Sequence, residues 1–580
     1  MKNKKGALVW IPLGVLLLAG IGYFACDLLM SISRYRPARG LFGNEIVGSR
    51  FFEQLFSAAD FPRAIGNSLV QTLLTAVLGL PFGVVLALLL GLIPHRPTKA
   101  IFAGFFLMIG LLPDIFWAQM GQNAALAMDE IMQGISGAGS GLRNNYLLIF
   151  TVAKVLPLTA LCAFGGLFLN LAEKKNGALG ALLVGLVPLL TALMPDVRMN
   201  YLAGSAINYA SSATLSYNAF RSGIMQAQYS YAAAMTVMGR GISLVAGLGP
   251  ALLVGLLAKR KRDMQKVRVQ GGSWVMEGLF GVIGAVAAMM IVLAANIIGK
   301  QIQWSGDVTV ALGNTLLGSL LAMMLAFGVC LGVLSTFRHS RGMLAPAALA
   351  LIMLLLGGFS VSGYILARDL GVFNTPIPAA FSVLGHPAFI LVLVLLAVSR
   401  PCSMRQVLMS AGGGGLMAAM ISAGDAFNPM LFTTSRQQYT LAQHLRALQT
   451  NVDYQVMPSD AASALDAMQM RAAAANGGMV VLLAVCLLLG VMGAMLIFSG
   501  IGGSRLEPLH PVWRPEAPVL ARPYAPVQAQ EPVQAYQPAN SFAPVQAEEI
   551  YPEEEPYYPV QPLPVTEEES AREPEENEMK

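Results

Sequence analysis

Charge is scarce in this sequence, and the scarcity bounds its class. Of 580 residues, 12% are charged and 55% are hydrophobic. A soluble chain of ordinary composition carries roughly twice that charge. Cysteine is scarce as well. Cys26, Cys162, Cys330, Cys402 and Cys486 lie singly in or beside apolar runs, with no CxxC step and no Cys/His cluster. Neither a disulfide framework nor a metal site is expected from that pattern. No GxxxxGK[ST] phosphate loop, HExxH step or GxSxG elbow occurs. ATP hydrolysis within the chain, zinc-dependent hydrolysis and serine-hydrolase chemistry therefore have no candidate residues. The histidines (His95, His339, His386, His444 and His510) are scattered, mostly in loops. The chain is not expected to be an enzyme, to hold a cofactor or to bind nucleic acid.

What the sequence does have is apolar runs of membrane-crossing length. A bilayer core needs about 20 apolar residues as a helix. After a basic start, Met1-Lys-Asn-Lys-Lys, runs fall at 7–30, 65–92, 100–117, 146–171, 177–194 and 235–257. Six more fall at 275–299, 308–335, 343–366, 383–399, 408–424 and 477–500. The runs lack the two-residue alternation of a membrane β-barrel, so helices are expected throughout. The first run is longer than a usual signal core and has no small-x-small cleavage site after it, so an uncleaved helix is expected. The fold class is an all-α polytopic membrane protein with about twelve transmembrane helices. Between runs, 41–63 is amphipathic and rich in phenylalanine, as suits an outer interfacial helix.

Basic connections set the orientation. His95-Arg-Pro-Thr-Lys, Glu173-Lys-Lys, Lys259-Arg-Lys-Arg, Arg338-His-Ser-Arg and Arg400-Pro-Cys-Ser-Met-Arg are all short. The positive-inside rule places them, and both termini, in the cytoplasm of a cell (plasma) membrane protein. The longer segments 118–144, 195–234 and 425–475 fall outside. From about Gly502 the composition changes to Pro, Glu, Gln, Ala and Tyr, and Pro-Val-Gln-Ala recurs at 526, 532 and 544. Such a segment cannot bury enough apolar surface to offset its ordering entropy, so a disordered cytoplasmic tail over 503–580 is expected.

One pattern occurs twice. Ala64-Ile-Gly-Asn-Ser-Leu is followed 247 positions later by Ala311-Leu-Gly-Asn-Thr-Leu, each at the start of an apolar run. The simplest account is two related halves, 1–262 and 263–502, each of six helices in the same orientation. Such parallel repeats are related by an axis along the membrane normal. Asn67 and Asn314 are expected to bond the backbone of a neighbouring helix. The 59 glycines partly reflect close helix packing. The run Gly412–Gly415 reads either as a close helix contact or as a helix break.

Ionisable residues inside or beside apolar runs are costly unless they face a cavity or a partner. Lys154 lies inside the fourth run counted from the N-terminus. Asp114, Asp196 and Asp425 lie near the outer ends of others, with Asn428 just beyond Asp425. Two readings are open: these residues line the outer end of a translocation path or gate, or Lys154 and an aspartate form a structural pair between packed helices.

Several blocks resemble a known family. Gly43-Asn-Glu-Ile and 51–69 resemble the start of the core domain in permeases of the binding-protein-dependent carbohydrate-uptake ABC transporters. Residues 217–234 resemble the end of one permease subunit of that family. Residues 357–366, 370–375, 424–445 and 467–475 resemble its partner subunit. The resemblance implies two permease subunits fused in one chain, embedded in the lipid bilayer. It also implies separate ATPase subunits, an extracellular solute-binding protein, a sugar-like solute and alternating access. The family's cytoplasmic EAA loop, whose short helix docks into the ATPase, is not recognisable here. Its two expected positions hold only Asn170-Leu-Ala-Glu-Lys-Lys-Asn-Gly and Ser399-Arg-Pro-Cys-Ser-Met-Arg-Gln. The alternative is therefore a degenerate permease-like scaffold, sensor or accessory subunit not coupled to ATP hydrolysis. An ion-coupled carrier fits less well, because the chosen aspartates sit near helix ends.

Overall fold

The computed structural model describes residues 10–93, 95–136, 145–173, 197–204, 207–258, 306–339, 348–349, 352, 355–399, 403–450 and 461–502. The chain divides into two units, Met1–His510 and Pro511–Lys580. The second unit lies outside the described residues, as does the tail expected over 503–580. The apolar runs expected at 177–194 and 275–299 also lie outside them, as does Asp196.

Within the first unit the chain is helical. Seven helices are long and apolar enough to cross a membrane: Ile11–Ile32, Phe61–Gly91, Tyr146–Leu171, Tyr229–Gly249, Gly306–Phe337, Met404–Gly424 and Ala473–Gly500. Two further pairs pass the same test together but bend sharply, so up to nine spans occur among the described residues. The run expected over 100–117 is one of these pairs. Thr98–Gly110 and Asp114–Ile135 meet at 83°. Pro113 accounts for the break: its ring removes a backbone donor and disfavours helical geometry at the residue before it. The second pair, Ile377–Gly385 and Pro387–Ser399, bends by 57° on either side of His386. The last helix starts earlier than its apolar run and extends over Ala461–Gly502.

The amphipathic stretch before the second span contains the short helix Arg50–Ser57. It buries Leu55 and leaves Phe56 exposed. A two-stranded antiparallel ribbon, Ser33–Arg34 with Glu45–Ile46, is the only sheet among the described residues.

The core packs apolar helices closely against one another. Lipid tails are as apolar as leucine, so helices associate through close packing and polar contacts. The 387–399 helix is apolar all round and buries every residue from Phe389 to Val398, as a central helix should. The 404–424 helix is continuous through Gly412–Gly415, so the glycines make a contact and not a break. A methyl group on Gly413 would lie 2.5 Å from Ile497 Cγ1 and 2.9 Å from the Gly493 carbonyl. One on Gly415 would lie 3.0 Å from the Met323 carbonyl. This helix is thus pressed between the 306–339 and 461–502 helices.

The duplicated Asn step has the same surroundings in both places. Asn67 Nδ2 donates to the carbonyls of Ala210 (2.8 Å) and Ala213 (2.9 Å). Asn314 Nδ2 donates to those of Gln437 (2.9 Å) and Tyr439 (3.1 Å). The neighbouring hydroxyls match as well. Ser68 Oγ donates to Ala64 O and accepts from Leu215 N, while Thr315 Oγ1 donates to Ala311 O and accepts from Leu441 N. Each step therefore clamps a loop that ends in Thr-Leu and opens a short helix. The clamp satisfies loop backbone groups that would otherwise be left without a partner.

Candidate functional site

Four departures from regular helix geometry meet at one place. The 61–91 helix carries a π-helical turn at Thr75–Gly79. The chain bends at Leu111–Pro113. A second π-helical turn, Thr151–Val155, carries Lys154. The fourth is the bend at His386, beside the end of the 404–424 helix at Asp425. Such irregularities re-aim side chains and occur often at functional sites. Here they enclose a cavity of about 170 Å³, measured as space open to the centre of a water molecule. Its polar lining includes Gln71, Asp114, Trp117, Lys154, His386 and Asp425, set among leucines and prolines.

Three of the residues singled out by sequence meet here. Lys154 Nζ donates to Asp114 Oδ1 at 2.9 Å, and the two side chains remain 18% and 17% exposed. That pair spans 40 positions and joins the π-helical turn to the bent helix. The second oxygen of Asp114 lies 3.9 Å from His386 Nε2. His386 Nδ1 accepts from the Ala388 amide at 3.2 Å, which turns Nε2 toward Asp114. Asp425 is held from several sides. Its Oδ1 accepts the Phe427 and Asn428 amides, and its Oδ2 accepts Asn428 Nδ2. Arg198 Nε lies 3.5 Å from the same Oδ2. Asn428 therefore secures Asp425 and does not itself line the cavity. Gly424 permits the approach of the two bends: a methyl there would lie 3.0 Å from Pro113.

Asn67 and Asn314 belong to the two clamps described above and do not line the cavity. Among the described residues no group of three or more His, Cys, Asp or Glu could hold a metal ion.

A third buried charge pair was not singled out from the sequence. Arg240 Nη1 donates to Asp27 Oδ2 at 2.6 Å, and both side chains are fully buried. Asp27 also accepts from Ser360 Oγ at 3.0 and 2.9 Å and from the Ser362 amide at 3.0 Å. The Arg240 guanidinium lies 5.0 Å from the Tyr23 ring centroid. Ser360 caps the 361–369 helix, and Gly358 before it takes φ +81°. The carboxylate thus sits at a helix N-terminus, where the unpaired amides favour negative charge. The signal that could have found this pair is the one that found Lys154, an ionisable residue inside an apolar run. His386, inside the run expected at 383–399, carried that signal too, whereas Gln71 and Trp117 carried none.

No family model matches this chain, and no curated protein or solved structure matches it either.

Proposed function

We propose that the chain is the membrane-embedded part of a transport system, moving a sugar-like solute across the plasma membrane through the cavity at Asp114 and Lys154. The observation that carries this reading is the cavity's make-up. Lining residues between Gln71 and Leu161 lie in the first expected half and those between His386 and Asp425 in the second, and both sets bound one mostly apolar cavity that holds the Asp114–Lys154 pair, among membrane-length helices. Alternating access follows if the two halves rock about that chamber. The full arrangement in this reading is twelve spans in two parallel six-helix repeats, 1–262 and 263–502, with a disordered tail over 503–580 and cytoplasmic termini. The matching clamps at Asn67 and Asn314 support the repeat. The chamber then works as a permease of an ABC-type importer, supplied by a solute-binding protein and driven by separate ATPase subunits.

A second reading has its own support. The 387–399 helix ends at Ser399 and the next begins at Met404, opened by a capping box between Ser403 and Gln406. Of the four residues between, 400–402 lie outside the described residues, and four residues are fewer than a docking helix needs. At the other expected position Asn170 Oδ1 accepts from Lys99 Nζ at 3.0 Å, and residues 174–177 lie outside the described residues. A permease-like scaffold, sensor or accessory subunit uncoupled from ATP fits that geometry. Co-purification separates the two. A stoichiometric complex with an ATPase subunit and solute-stimulated ATP hydrolysis supports the importer. A lone protein without such activity supports the accessory role.

A further inference from the structure

The segment between the first two spans is short, and both of its ends are tied to membrane-length helices. Ile11–Ile32 runs directly into the ribbon strand Ser33–Arg34, and Phe61–Gly91 begins soon after the helix Arg50–Ser57. The segment therefore sits where two helices leave the bilayer. It is also held in one conformation. Tyr35 N donates to Ser230 Oγ at 2.9 Å, and that hydroxyl donates to Ser33 O at 2.7 Å. The Val47 and Gly48 amides donate to Ile32 O at 2.8 and 3.1 Å. Asn44 Oδ1 accepts the Arg36 amide, and its Nδ2 donates to Gly40 O. Tyr35, Leu41 and Leu55 are buried in one apolar cluster with residues of the bundle.

The outward face combines cations with bare apolar side chains. Arg34, Arg36, Arg39 and Arg50 are exposed. The nearby acids are partly engaged: Glu45 stands opposite Arg34 in the ribbon, Glu53 accepts from Ser49 Oγ, and Asp60 pairs with Arg63 at 3.4 Å. The guanidinium groups of Arg36, Arg39 and Arg50 have no ion-pair partner among the described residues. Among these arginines in the chain, Phe42 is 79% exposed and Ile46 68%. A methyl on Gly43 would lie 3.4 Å from Arg39 Cβ, so the chain beside Phe42 folds back on Arg39.

We infer that this segment is a binding platform for anionic phospholipid, with Phe42 and Ile46 in the headgroup boundary and Arg36, Arg39 and Arg50 on lipid phosphates. Apolar rings beside cations suit the bilayer interface, where the rings enter the acyl boundary and the charges stay among the headgroups. A guanidinium meets two phosphate oxygens with parallel hydrogen bonds. A zwitterionic lipid carries its own cation beside the phosphate. An anionic lipid does not, so uncompensated arginines favour it. Tethering between two spans keeps lipid within reach at high local concentration, which favours lipid over a soluble acidic partner. The inference rests on the chain's lying in a bilayer and not on the transport reading.

The test places Phe42→Trp of the full chain in phosphatidylcholine nanodiscs, whose two faces carry the same lipid, with a small share of brominated lipid. Fluorescence is read as the difference from the parent, which cancels the native tryptophans. Brominated phosphatidylglycerol should quench the added signal at a share at least about fivefold lower than brominated phosphatidylcholine, the advantage of one arginine near an anionic surface. The preference should shrink in high salt. Arg36→Gln/Arg39→Gln in the same background should lose most of it, while quenching by phosphatidylcholine and the unfolding midpoint stay level. Arg50→Gln, in a separate element, should lower it about fivefold. Equal quenching by the two lipids, a preference that survives in these variants, or no quenching by either lipid overturns the inference. Glycerol phosphate and polyglutamate, added at constant ionic strength, should leave the quenching unchanged. Relief of quenching by the first would assign the arginines to a free phosphate, and relief by the second to an acidic protein, and either result overturns the lipid platform.

Discussion

Asp114 and Asp27 each meet a cation across the helix bundle, Lys154 at 2.9 Å and Arg240 at 2.6 Å. Their surroundings differ in two respects. Asp27 is sealed from solvent and saturated by Ser360, Ser362 and Arg240. Asp114 opens onto a cavity, and its second oxygen has only a histidine at 3.9 Å. The first arrangement ties the 11–32 helix to the 229–258 helix and to the break before the 361–369 helix. It leaves nothing over for a ligand. The second leaves space and partial exposure. The same residue types thus serve as a fastening in one place and as a site in the other, and what separates them is how completely each charge is satisfied.

That difference can be broken by substitution. The largest stability effect is expected at the fastening. Asp27→Asn or Arg240→Met leaves an uncompensated buried charge or a set of unmet donors, and should cost about 3–5 kcal/mol. The yield of folded protein in mild detergent and its unfolding midpoint report this. The double variant Asp27→Asn/Arg240→Met should recover part of the loss, because neither charge is then stranded. If the single variants are as stable as the parent, the pair is not a fastening.

A smaller loss, about 1–3 kcal/mol, is expected for Gly413→Ala, since its methyl would meet backbone as well as Ile497. Gly412→Ala is the control. There the nearest atom is the far end of the Leu496 side chain at 3.1 Å, and the midpoint should change little. Equal effects at both positions would contradict the close three-helix packing.

Smaller again are the two clamps. Asn67→Ala and Asn314→Ala should each cost about 1 kcal/mol. Because the two sites share no partners, the double variant should lose the sum of the two within about 0.5 kcal/mol. A large loss at one and none at the other would break the structural equivalence of the two steps.

Much of this was legible in the amino-acid sequence, for stated physical reasons. Lys154, Asp114 and Asp425 stood out because charge in an apolar run needs compensation, and the structure brings all three to one cavity. The Asn67 and Asn314 clamps were legible because the same short step recurs at the same place in an apolar run. The sharp bend at Pro113 was less so: a proline within an apolar run can kink a helix or end it, and composition alone does not choose. The π-helical turns at 75–79 and 151–155 leave no trace in hydropathy. Asp27 finds its cation 213 positions away, and spacing cannot reveal a partner at that distance. That Gln71 and Trp117 border the same cavity as Asp114 is a property of the packed structure.

The most direct test of the cavity as the solute path is uptake by vesicles carrying Lys154→Met, compared at equal folded amounts with the parent and with Asn67→Ala. The account predicts that uptake of a sugar-like solute is lost in Lys154→Met and kept in Asn67→Ala. Uptake at the parent rate in Lys154→Met would contradict it and leave the Asp114–Lys154 pair with a structural role alone.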